Sequence, residues 1–331
     1  MRRALHHFGI DGFVLCSSIA LLAGTIAHFG GHLGVAGPSL VAPFWTFLPV
    51  IVFCAILRWR EGFVRALGHS ARDWAPFFLM NVVYRNLSPA THFLPSRSVE
   101  HTLLAIDQRV FGIEPSAWIQ RFARPWLSDY MAFAYALMFL MPLVVMTLLY
   151  WRGRREDFRE VGVAMILCTF AGFLLYIAFP ARSPRWACPE IYGGMQLHGA
   201  FGVYESLTQA WDHVELMLYD AFPSLHTAVS TLALVYSFRM GPRWLGWVML
   251  PFVVSLQIST LYLRQHYFID VVFGWLLAAA CVAAAPLLRR AWSWMTTRIS
   301  SASSTARAKA MNAAWSAGST RCSGISRWRT M

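Results

Sequence analysis

The sequence predicts an all-α integral membrane protein, built as a bundle of about eight transmembrane helices. Of its 331 residues, 57% are hydrophobic and only 13% are charged, whereas a soluble domain carries about 25% charged residues. Long apolar segments recur along the chain, close to the roughly 20 residues that a helix needs to cross the hydrocarbon layer. Arginines cluster between these segments, which is typical of membrane proteins with a fixed orientation.

Eight apolar segments are candidates for the membrane-spanning helices. The third is the weakest, because it is short and contains Arg85. The first follows Arg2 and Arg3, as a signal peptide would, but no small-residue cleavage site comes after it, so a retained anchor is expected. The segments are residues 11–29, 40–57, 73–90, 129–150, 161–180, 221–238, 244–262 and 267–288.

The basic residues of the short loops predict the orientation of the bundle. If all eight segments cross the membrane, every basic short loop falls on the same side, so the positive-inside rule predicts that both termini are cytoplasmic. Segments 91–128, 181–220 and 263–266 then face outward. Membrane orientation also accounts for the net charge of +12 better than nucleic-acid binding does. The arginines concerned are Arg2, Arg3, Arg58, Arg60, Arg65, Arg72, Arg152, Arg154, Arg155, Arg159, Arg239, Arg243, Arg289 and Arg290.

Three parts of the chain are expected: an N-terminal membrane hairpin (1–72), a main membrane domain (73–290) and a basic tail (291–331). The main domain includes the outer loops 91–128 and 181–220. The first of these mixes charged and aromatic residues, as helices at a membrane surface do. The tail is rich in Ser, Ala and Arg without periodicity, which predicts disorder. The six cysteines are scattered, so neither a disulfide framework nor a zinc site is indicated.

His266 and Asp270 are the first candidate catalytic residues, in the stretch STLYLRQHYFIDVVFGW. Residues four apart share one face of a helix. A carboxylate one turn from an imidazole can fix its tautomer and leave the other ring nitrogen free as a nucleophile. The alternative is a structural hydrogen bond between packed helices. Ionisable groups at membrane depth are costly, which favours a functional interpretation.

His226 is the second candidate, in the stretch AFPSLHTAVS. Pro223 and Ser224 are typical of a helix start, and the free N–H groups of a helix start favour phosphate. A histidine there can protonate a departing alcohol; the alternative is an interfacial histidine without a role. Because the two motifs are one helical hairpin apart, we expect both histidines in one site. By contrast, Asp107 and Asp129 are expected to form helix caps or packing hydrogen bonds.

Taken together, these motifs resemble the type 2 phosphatidic acid phosphatase superfamily, and most closely its inositol phosphorylceramide synthase branch. Pro223, Ser224 and His226 match the second signature of that family, PSxH. The resemblance covers about residues 80–288. The run YLRQHYFID is similar to the corresponding run of the synthase branch.

The match to the other two family signatures is incomplete. Ser259, His266 and Asp270 agree with the third signature, but Thr260 stands where that signature has an arginine. The first signature, a lysine followed by Arg-Pro, is absent, because the only lysine of the chain is Lys309. In its place, residues 179–186 (FPARSPRW) resemble a segment of the synthase branch that contains proline and tryptophan.

The resemblance implies a six-helix phosphatase-like core and a phospho-histidine mechanism that needs neither a cofactor nor a metal. His266 would attack the phosphorus, Asp270 would orient its ring, and His226 would protonate the departing alcohol and then activate the acceptor. The phosphoryl oxygens need a positive charge nearby in the transition state, which arginines can supply. The alternative role for each candidate arginine is anchoring at the membrane interface. The candidate phosphate-binding residues are Arg185, Arg182, Arg264, Ser224 and Ser259.

The expected function is that of an enzyme of lipid metabolism in the cell (inner) membrane, with its active site outside the cytoplasm. It would transfer a phosphoryl group or a phospho-headgroup, with phosphoinositol as one candidate, from a membrane lipid to a polyol or a lipid alcohol. The alternative is a lipid phosphate or polyprenyl pyrophosphate phosphatase with water as the acceptor. A remote alternative is a non-catalytic transporter or scaffold. A scaffold would not bring the histidines together, and a transporter would show broken helices or repeats.

Overall fold

Helices make up almost all of the regular structure in the computed structural model of the chain, which describes residues 2–29, 31, 41–57, 62–87, 98–214 and 217–322. Thirteen α-helices lie in these ranges, and two short 3-10 turns, Gln120–Phe122 and Pro189–Tyr192, accompany them. The helices are α1 (Arg2–His28), α2 (Val41–Leu57), α3 (Phe63–Arg85), α4 (Glu100–Phe111), α5 (Pro115–Ile119), α6 (Pro125–Ala136), α7 (Leu140–Trp151), α8 (Arg155–Ala178), α9 (Pro184–Ala187), α10 (Val203–Val214), α11 (Leu225–Met240), α12 (Arg243–Tyr262) and α13 (Phe268–Cys322). The predicted all-α class is confirmed, since no strand occurs in the described ranges.

Several of these helices are suited to a membrane. Gly9–His28, Arg155–Ala178, Arg243–Tyr262 and Phe268–Arg298 are long and apolar enough to cross one, and α6 and α7, bent by 43°, form a fifth crossing if they count as one span. Helices also occur at the other predicted segments, but α2 and α11 have only 17 and 16 residues, and α3 carries several charges. A multi-pass membrane protein is therefore confirmed, whereas the count of eight spans is not.

The chain divides into two compact units, residues 11–285 and residues 1–10 with 286–331. Within the smaller unit the described residues are helical, and α13 continues to Cys322. The structure therefore describes residues 291–322 as helix where the sequence predicted a disordered tail. A physical reason is that the segment lacks proline and is rich in alanine and arginine, which favour helix. The domain boundaries predicted at residues 72 and 290 stay predictions.

In the larger unit, helix α11 is the central element. It packs against α7, α8 and α12, and its N-terminal end meets α13, where the backbone N–H of Ser224 donates to the carbonyl of Asp270 (3.1 Å). Gly274 makes this approach possible: a Cβ there would lie 2.7 Å from the carbonyl oxygen of Ser224 and 2.8 Å from Cβ of Thr227. The first turn of α11 and the first turns of α13 are thus held as one unit.

The predicted outer loop 91–128 contains α4 and α5, although residues 91–97 lie outside the described residues. Its large apolar side chains are exposed, including Phe111, Trp118, Phe122 and Trp126. Exposed aromatic side chains of this kind are typical of a membrane–water interface. Helices are therefore present in this loop, and their position at the outer membrane surface stays a prediction.

The close contact at Gly274 generates a prediction. Gly274→Ala is expected to cost about 1–3 kcal/mol of stability, because the added methyl group overlaps backbone that cannot rotate away. The measurement is the thermal unfolding midpoint of the purified protein in detergent. Gly68→Ala in α3 is the matched control, since a Cβ there meets no atom within 4 Å. Equal midpoints for the two variants would contradict the packing described here.

Candidate active site

A cleft in the larger unit is lined by both candidate histidines. The ring centroids of His226 and His266 are 5.6 Å apart, and both rings line the cleft. Most of its remaining wall is apolar, which suits a ligand with an alkyl chain next to a polar group. The apolar wall includes Phe77, Met80, Phe139, Leu143, Met146, Met165, Phe173 and Tyr176.

His266 lies in the tight turn that ends α12. The backbone N–H of Gln265 donates to the carbonyl of Thr260 (2.9 Å), and that of Arg264 donates to Leu261 (3.0 Å), which is the hydrogen-bond pattern of a Schellman motif. Arg264 has a φ of 61° in this motif, a left-handed conformation that glycine usually adopts. The backbone N–H of His266 also donates to Thr260 (3.1 Å). Three hydrogen bonds therefore fix the backbone that carries His266.

The ring of His266 has two neighbours on its Nδ1 side. Nδ1 is 2.8 Å from the carbonyl oxygen of Ala221 and 3.5 Å from Oδ2 of Asp270. A carbonyl oxygen only accepts, so Nδ1 carries the hydrogen in this contact and Nε2 keeps its lone pair. Asp270 also accepts from the backbone N–H of Tyr267 (2.9 Å). The carbonyl of Ala221 thus contributes to fixing the tautomer, a task that sequence reasoning gave to Asp270 alone.

His226 lies in the first turn of α11. Its ring stacks on Tyr135, with centroids 4.0 Å apart and an interplanar angle of 23°. No hydrogen bond joins its ring nitrogens to another of the described residues. Ser224 is the N-cap of the helix, and its Oγ accepts from the backbone N–H and the hydroxyl of Thr227 (3.2 and 3.1 Å). Ser224 is therefore a cap, the structural role that its position at a helix start predicts.

Asp107 and Asp129, which the sequence suggested as caps, have that role. Asp107 is buried and accepts from the backbone N–H groups of Phe268 (2.6 Å) and Ile269 (3.0 Å) at the start of α13. Burial raises the pKa of the Asp107 carboxyl, and these two hydrogen bonds oppose the rise. Asp129 accepts from three backbone N–H groups of residues 200–204, just before and within the first turn of α10. Asp107 therefore fixes the start of the helix that carries Asp270.

Arg185 is the one of the three candidate arginines that lines the cleft. Its guanidinium forms an ion pair with Asp212 of α10 (2.9 Å). Its Nε is buried and has no hydrogen-bond partner among the described residues. The backbone N–H of Arg185 donates to the carbonyl of Arg264 (3.0 Å). Arg185 is thereby tied to the turn that carries His266.

The other two candidate arginines, Arg182 and Arg264, are not among the residues that line the cleft. Nε of Arg182 lies 3.3 Å from the carboxylate of Glu100. Arg264 donates twice to the side-chain oxygen of Gln120 (2.9 and 3.2 Å), and it lies over the ring of Tyr192 at 4.1 Å. Both guanidinium groups therefore have protein partners away from the cleft.

Ser259, the last predicted site residue, is buried inside α12. Its Oγ donates to the carbonyl of Leu256 (2.6 Å), and Ser259 is not among the residues that line the cleft. The structure therefore brings His226, His266, Asp270 and Arg185 together, whereas the partners of Ser224, Ser259, Arg182 and Arg264 lie in the protein scaffold.

Sequence reasoning missed a polar pair in the cleft. The hydroxyl of Tyr84 in α3 donates to Oδ2 of Asp220 (2.8 Å), and both residues line the cleft with the histidines. Burial raises the pKa of the Asp220 carboxyl, while the hydrogen bond from Tyr84 and the neighbouring His266 act in the opposite direction. One signal was available: Asp220 stands two residues before the FPSLH stretch.

The fold and the site define a helical membrane protein with two histidines on a mostly apolar cleft and an aspartate beside one of them. The family model of the PAP2 superfamily matches residues 101–284. That region is more than half of the chain, and the chain belongs to this superfamily.

Individual relatives are similar to shorter parts of the chain. Inositol phosphorylceramide synthase of Candida albicans is 26% identical over 151 residues, which are 42% of this chain and 32% of that protein. The inositol phosphorylceramide synthase catalytic subunit of Schizosaccharomyces pombe is 31% identical over 131 residues, 36% of this chain and 30% of that protein. A PA-phosphatase related-family protein of Dictyostelium discoideum is 30% identical over 117 residues, 32% and 20% of the two chains. The matched region thus spans about a third or less of each relative. No solved structure matches the chain significantly.

Proposed function

We propose that the chain is a lipid phosphotransferase that works through a phospho-histidine intermediate. The observation that carries the proposal is the pair of histidine rings, 5.6 Å apart, on one apolar cleft. Double displacement at phosphorus needs a nucleophile and a separate acid–base group, and a lipid substrate needs an apolar wall. His266 and His226 supply the two groups, and the side chains of α3, α7 and α8 supply the wall.

In the first step, Nε2 of His266 attacks the phosphorus and the bond to the lipid alcohol oxygen breaks. Protonated His226 gives its proton to that oxygen, so the alcohol leaves neutral. The imidazolium that forms on His266 keeps its Nδ1–H on the carbonyl of Ala221 (2.8 Å). It is also stabilised by the negative charge of Asp270 at 3.5 Å. In the second step, neutral His226 takes the proton of the acceptor hydroxyl, whose oxygen attacks the phosphorus and releases His266.

Arg185 is our candidate for binding the phosphoryl oxygens. It lines the cleft with both histidines, and its buried Nε lacks a partner among the described residues. A guanidinium group binds phosphate oxygens well because its donors are planar and its charge is permanent. A bound phosphoryl group would compete with Asp212 for this guanidinium.

Two of the relatives are named inositol phosphorylceramide synthase, which supports phosphoinositol as the transferred group and a lipid alcohol such as ceramide as the acceptor. If water reaches the phospho-histidine instead, the same machinery acts as a phosphatase. The Dictyostelium relative is named as a PA-phosphatase related-family protein, which supports this phosphatase alternative. The two functions share the first step and differ only in the acceptor.

We further propose that the chain crosses the cell (inner) membrane eight times, with both termini cytoplasmic and the site on the outer side. Support comes from the ends of the helices. The arginines at the α7–α8 and α11–α12 connections, such as Arg154 and Arg239, lie at the ends of α8, α11 and α12 opposite to the site. Short loops rich in arginine favour the cytoplasm.

The test of the proposed function uses purified protein and phosphatidylinositol labelled in its headgroup, with and without ceramide. His266→Ala is expected to abolish the labelled phospho-enzyme and all turnover, because it removes the nucleophile. His226→Ala is expected to lower turnover by about 10²- to 10⁴-fold, because it removes the acid–base group.

The outcomes of that assay separate the alternatives. A labelled lipid product that requires ceramide supports transfer, and labelled inositol phosphate or free phosphate formed regardless of ceramide supports the phosphatase. Both variants should remain in the membrane at wild-type amounts. Near-normal turnover in His266→Ala would refute the phospho-histidine mechanism, and absence of turnover in the wild type on every lipid phosphate would favour a scaffold.

Asp270→Asn tests how the tautomer of His266 is fixed. In this variant the carbonyl of Ala221 still accepts from Nδ1–H, so His266 loses only its charged partner. We therefore expect the rate of phospho-enzyme formation to fall by about 10- to 100-fold. Glu156→Gln, an exposed carboxylate at the far end of α8, is the control and should change nothing. A loss in Asp270→Asn as complete as that in His266→Ala would show that the carbonyl is insufficient.

Arg185→Gln and Arg182→Gln form a matched pair of arginine variants. Arg185→Gln is expected to raise the KM for the phospholipid donor and to lower kcat, by about tenfold or more in kcat/KM, because the cleft loses its guanidinium. Arg182→Gln should leave both constants within about twofold, since Arg182 does not line the cleft and its guanidinium pairs with Glu100 instead. Equal effects would contradict the assignment of Arg185. The measurement is steady-state kinetics in mixed micelles.

A further inference from the structure

The pair formed by Tyr84 and Asp220 has no role in the mechanism above, although both side chains line the same cleft as the histidines. The hydroxyl of Tyr84 donates to Oδ2 of Asp220 at 2.8 Å. The ring of Tyr84 is stacked on Phe173, with centroids 5.8 Å apart and an interplanar angle of 24°. A rigid phenol therefore holds the carboxylate from one side.

The backbone of Asp220 is tied to the nucleophile. Asp220 pairs with Ala181 in an isolated parallel bridge, and the next residue, Ala221, donates its N–H to the carbonyl of Ala181 (3.0 Å). The carbonyl of the same Ala221 accepts from Nδ1 of His266. The position of the carboxylate relative to the histidine ring is thus fixed by consecutive residues of one short segment.

A carboxylate at this position is unfavourable for binding phosphate alone, because two anions repel each other and the low dielectric of a cleft strengthens the repulsion. It is favourable for a ligand that brings a hydroxyl group, since an ionised carboxylate only accepts hydrogen bonds and a hydroxyl donates one. Gln265, which also lines the cleft, adds an amide of mixed donor and acceptor character. The chemistry of this end of the cleft therefore fits an alcohol next to a phosphoryl group.

We propose that Asp220, positioned by Tyr84, binds a hydroxyl group of the substrate and thereby selects alcohol-bearing substrates over water and bare phosphate. The inference rests on the proposed function and deepens it. Two sources can supply that hydroxyl: the polyol headgroup of the donor lipid, and the lipid alcohol that accepts the phosphoryl group. Asp220 is a substrate-binding residue in this scheme, and Tyr84 is a positioning residue that acts through it.

The test compares Asp220→Asn and Tyr84→Phe with the exposed control Glu190→Gln. Three measurements separate the sources: hydrolysis of dioctanoyl phosphatidic acid, which has no headgroup hydroxyl; phospho-enzyme formation from dioctanoyl phosphatidylinositol; and transfer to ceramide. Asp220→Asn is expected to raise the KM for the hydroxyl-bearing substrate by about 10- to 100-fold, the effect of losing a hydrogen bond to a charged group. Tyr84→Phe keeps the stacking on Phe173 and should give a smaller rise in the same KM.

Hydrolysis of phosphatidic acid should be faster in Asp220→Asn, because a negative charge near the phosphate is removed. A rise in KM confined to phosphatidylinositol identifies the headgroup as the ligand, and a rise confined to ceramide identifies the acceptor. An equal loss on phosphatidic acid and on the hydroxyl-bearing substrates would overturn the inference, since it would show a purely structural role. No effect on any substrate would also overturn it.

Failure of the proposed function gives a different result. In that case the wild-type protein turns over none of the three substrates. The role of Asp220 is then tested by measuring lipid binding, without any measurement of turnover. The shift of the thermal midpoint with dioctanoyl phosphatidylinositol should then be smaller in Asp220→Asn than in the wild type, while the shift with dioctanoyl phosphatidic acid is retained. Equal shifts with both lipids in both proteins would overturn the inference about Asp220 as well.

Discussion

The hydrogen bond from Nδ1 of His266 to the carbonyl of Ala221 is the contact on which the site depends. It joins two stretches 45 residues apart in sequence, and it places the hydrogen of the His266 ring on Nδ1, so that Nε2 keeps its lone pair. The bond requires that the turn after α12 and the segment before α11 lie side by side. The hydrogen bonds of Ala221 with Ala181 and of Ser224 with Asp270 hold that segment on both flanks. The tautomer of His266 is thus set by a backbone carbonyl whose position is fixed by hydrogen bonds on both flanks, and not by a side-chain acceptor that can rotate.

The buried carboxylates around the site illustrate how an apolar protein keeps ionisable groups. Each unpaired buried charge would cost several kcal/mol, and here Asp107, Asp129 and Asp270 accept from backbone N–H groups at a turn or a helix start. Asp107 serves the start of α13, and Asp129 serves the start of α10. Asp270 accepts from Tyr267 and also faces His266. The same groups that position the catalytic elements thus satisfy the helix ends, so stability and site geometry are coupled.

Much of the site was predictable because its rules are local. The helix start at Ser224 follows from capping. The closeness of His266 and Asp270 was predicted from their spacing, but the prediction that both lie on one face of a helix was wrong, because His266 lies in the turn before α13. The roles of Arg182 and Arg264 were not predictable, since their partners Glu100 and Gln120 are remote in sequence and pairing across loops depends on tertiary packing. The same reason hid Asp220, whose partner Tyr84 lies 136 residues away. Among the described residues, helix length and composition support four or five of the eight predicted crossings, because hydropathy alone does not show where a short helix ends.

The electrostatic balance of the cleft bears on the choice between a transferase and a phosphatase. Of the described residues that line it, only Arg185 carries a permanent positive charge, and this charge is shared with Asp212. The carboxylate of Asp220 adds a negative charge nearby. A phosphate monoester brings close to two negative charges at neutral pH, as the second pKa of a phosphoryl group near 6 requires, whereas a phosphodiester brings one. A cleft with a single shared guanidinium and a carboxylate matches the lower charge better. Thr260 in place of the family's arginine, and the absence of the signature lysine, are therefore consistent with the donor that we propose, a phospholipid whose phosphate is esterified twice.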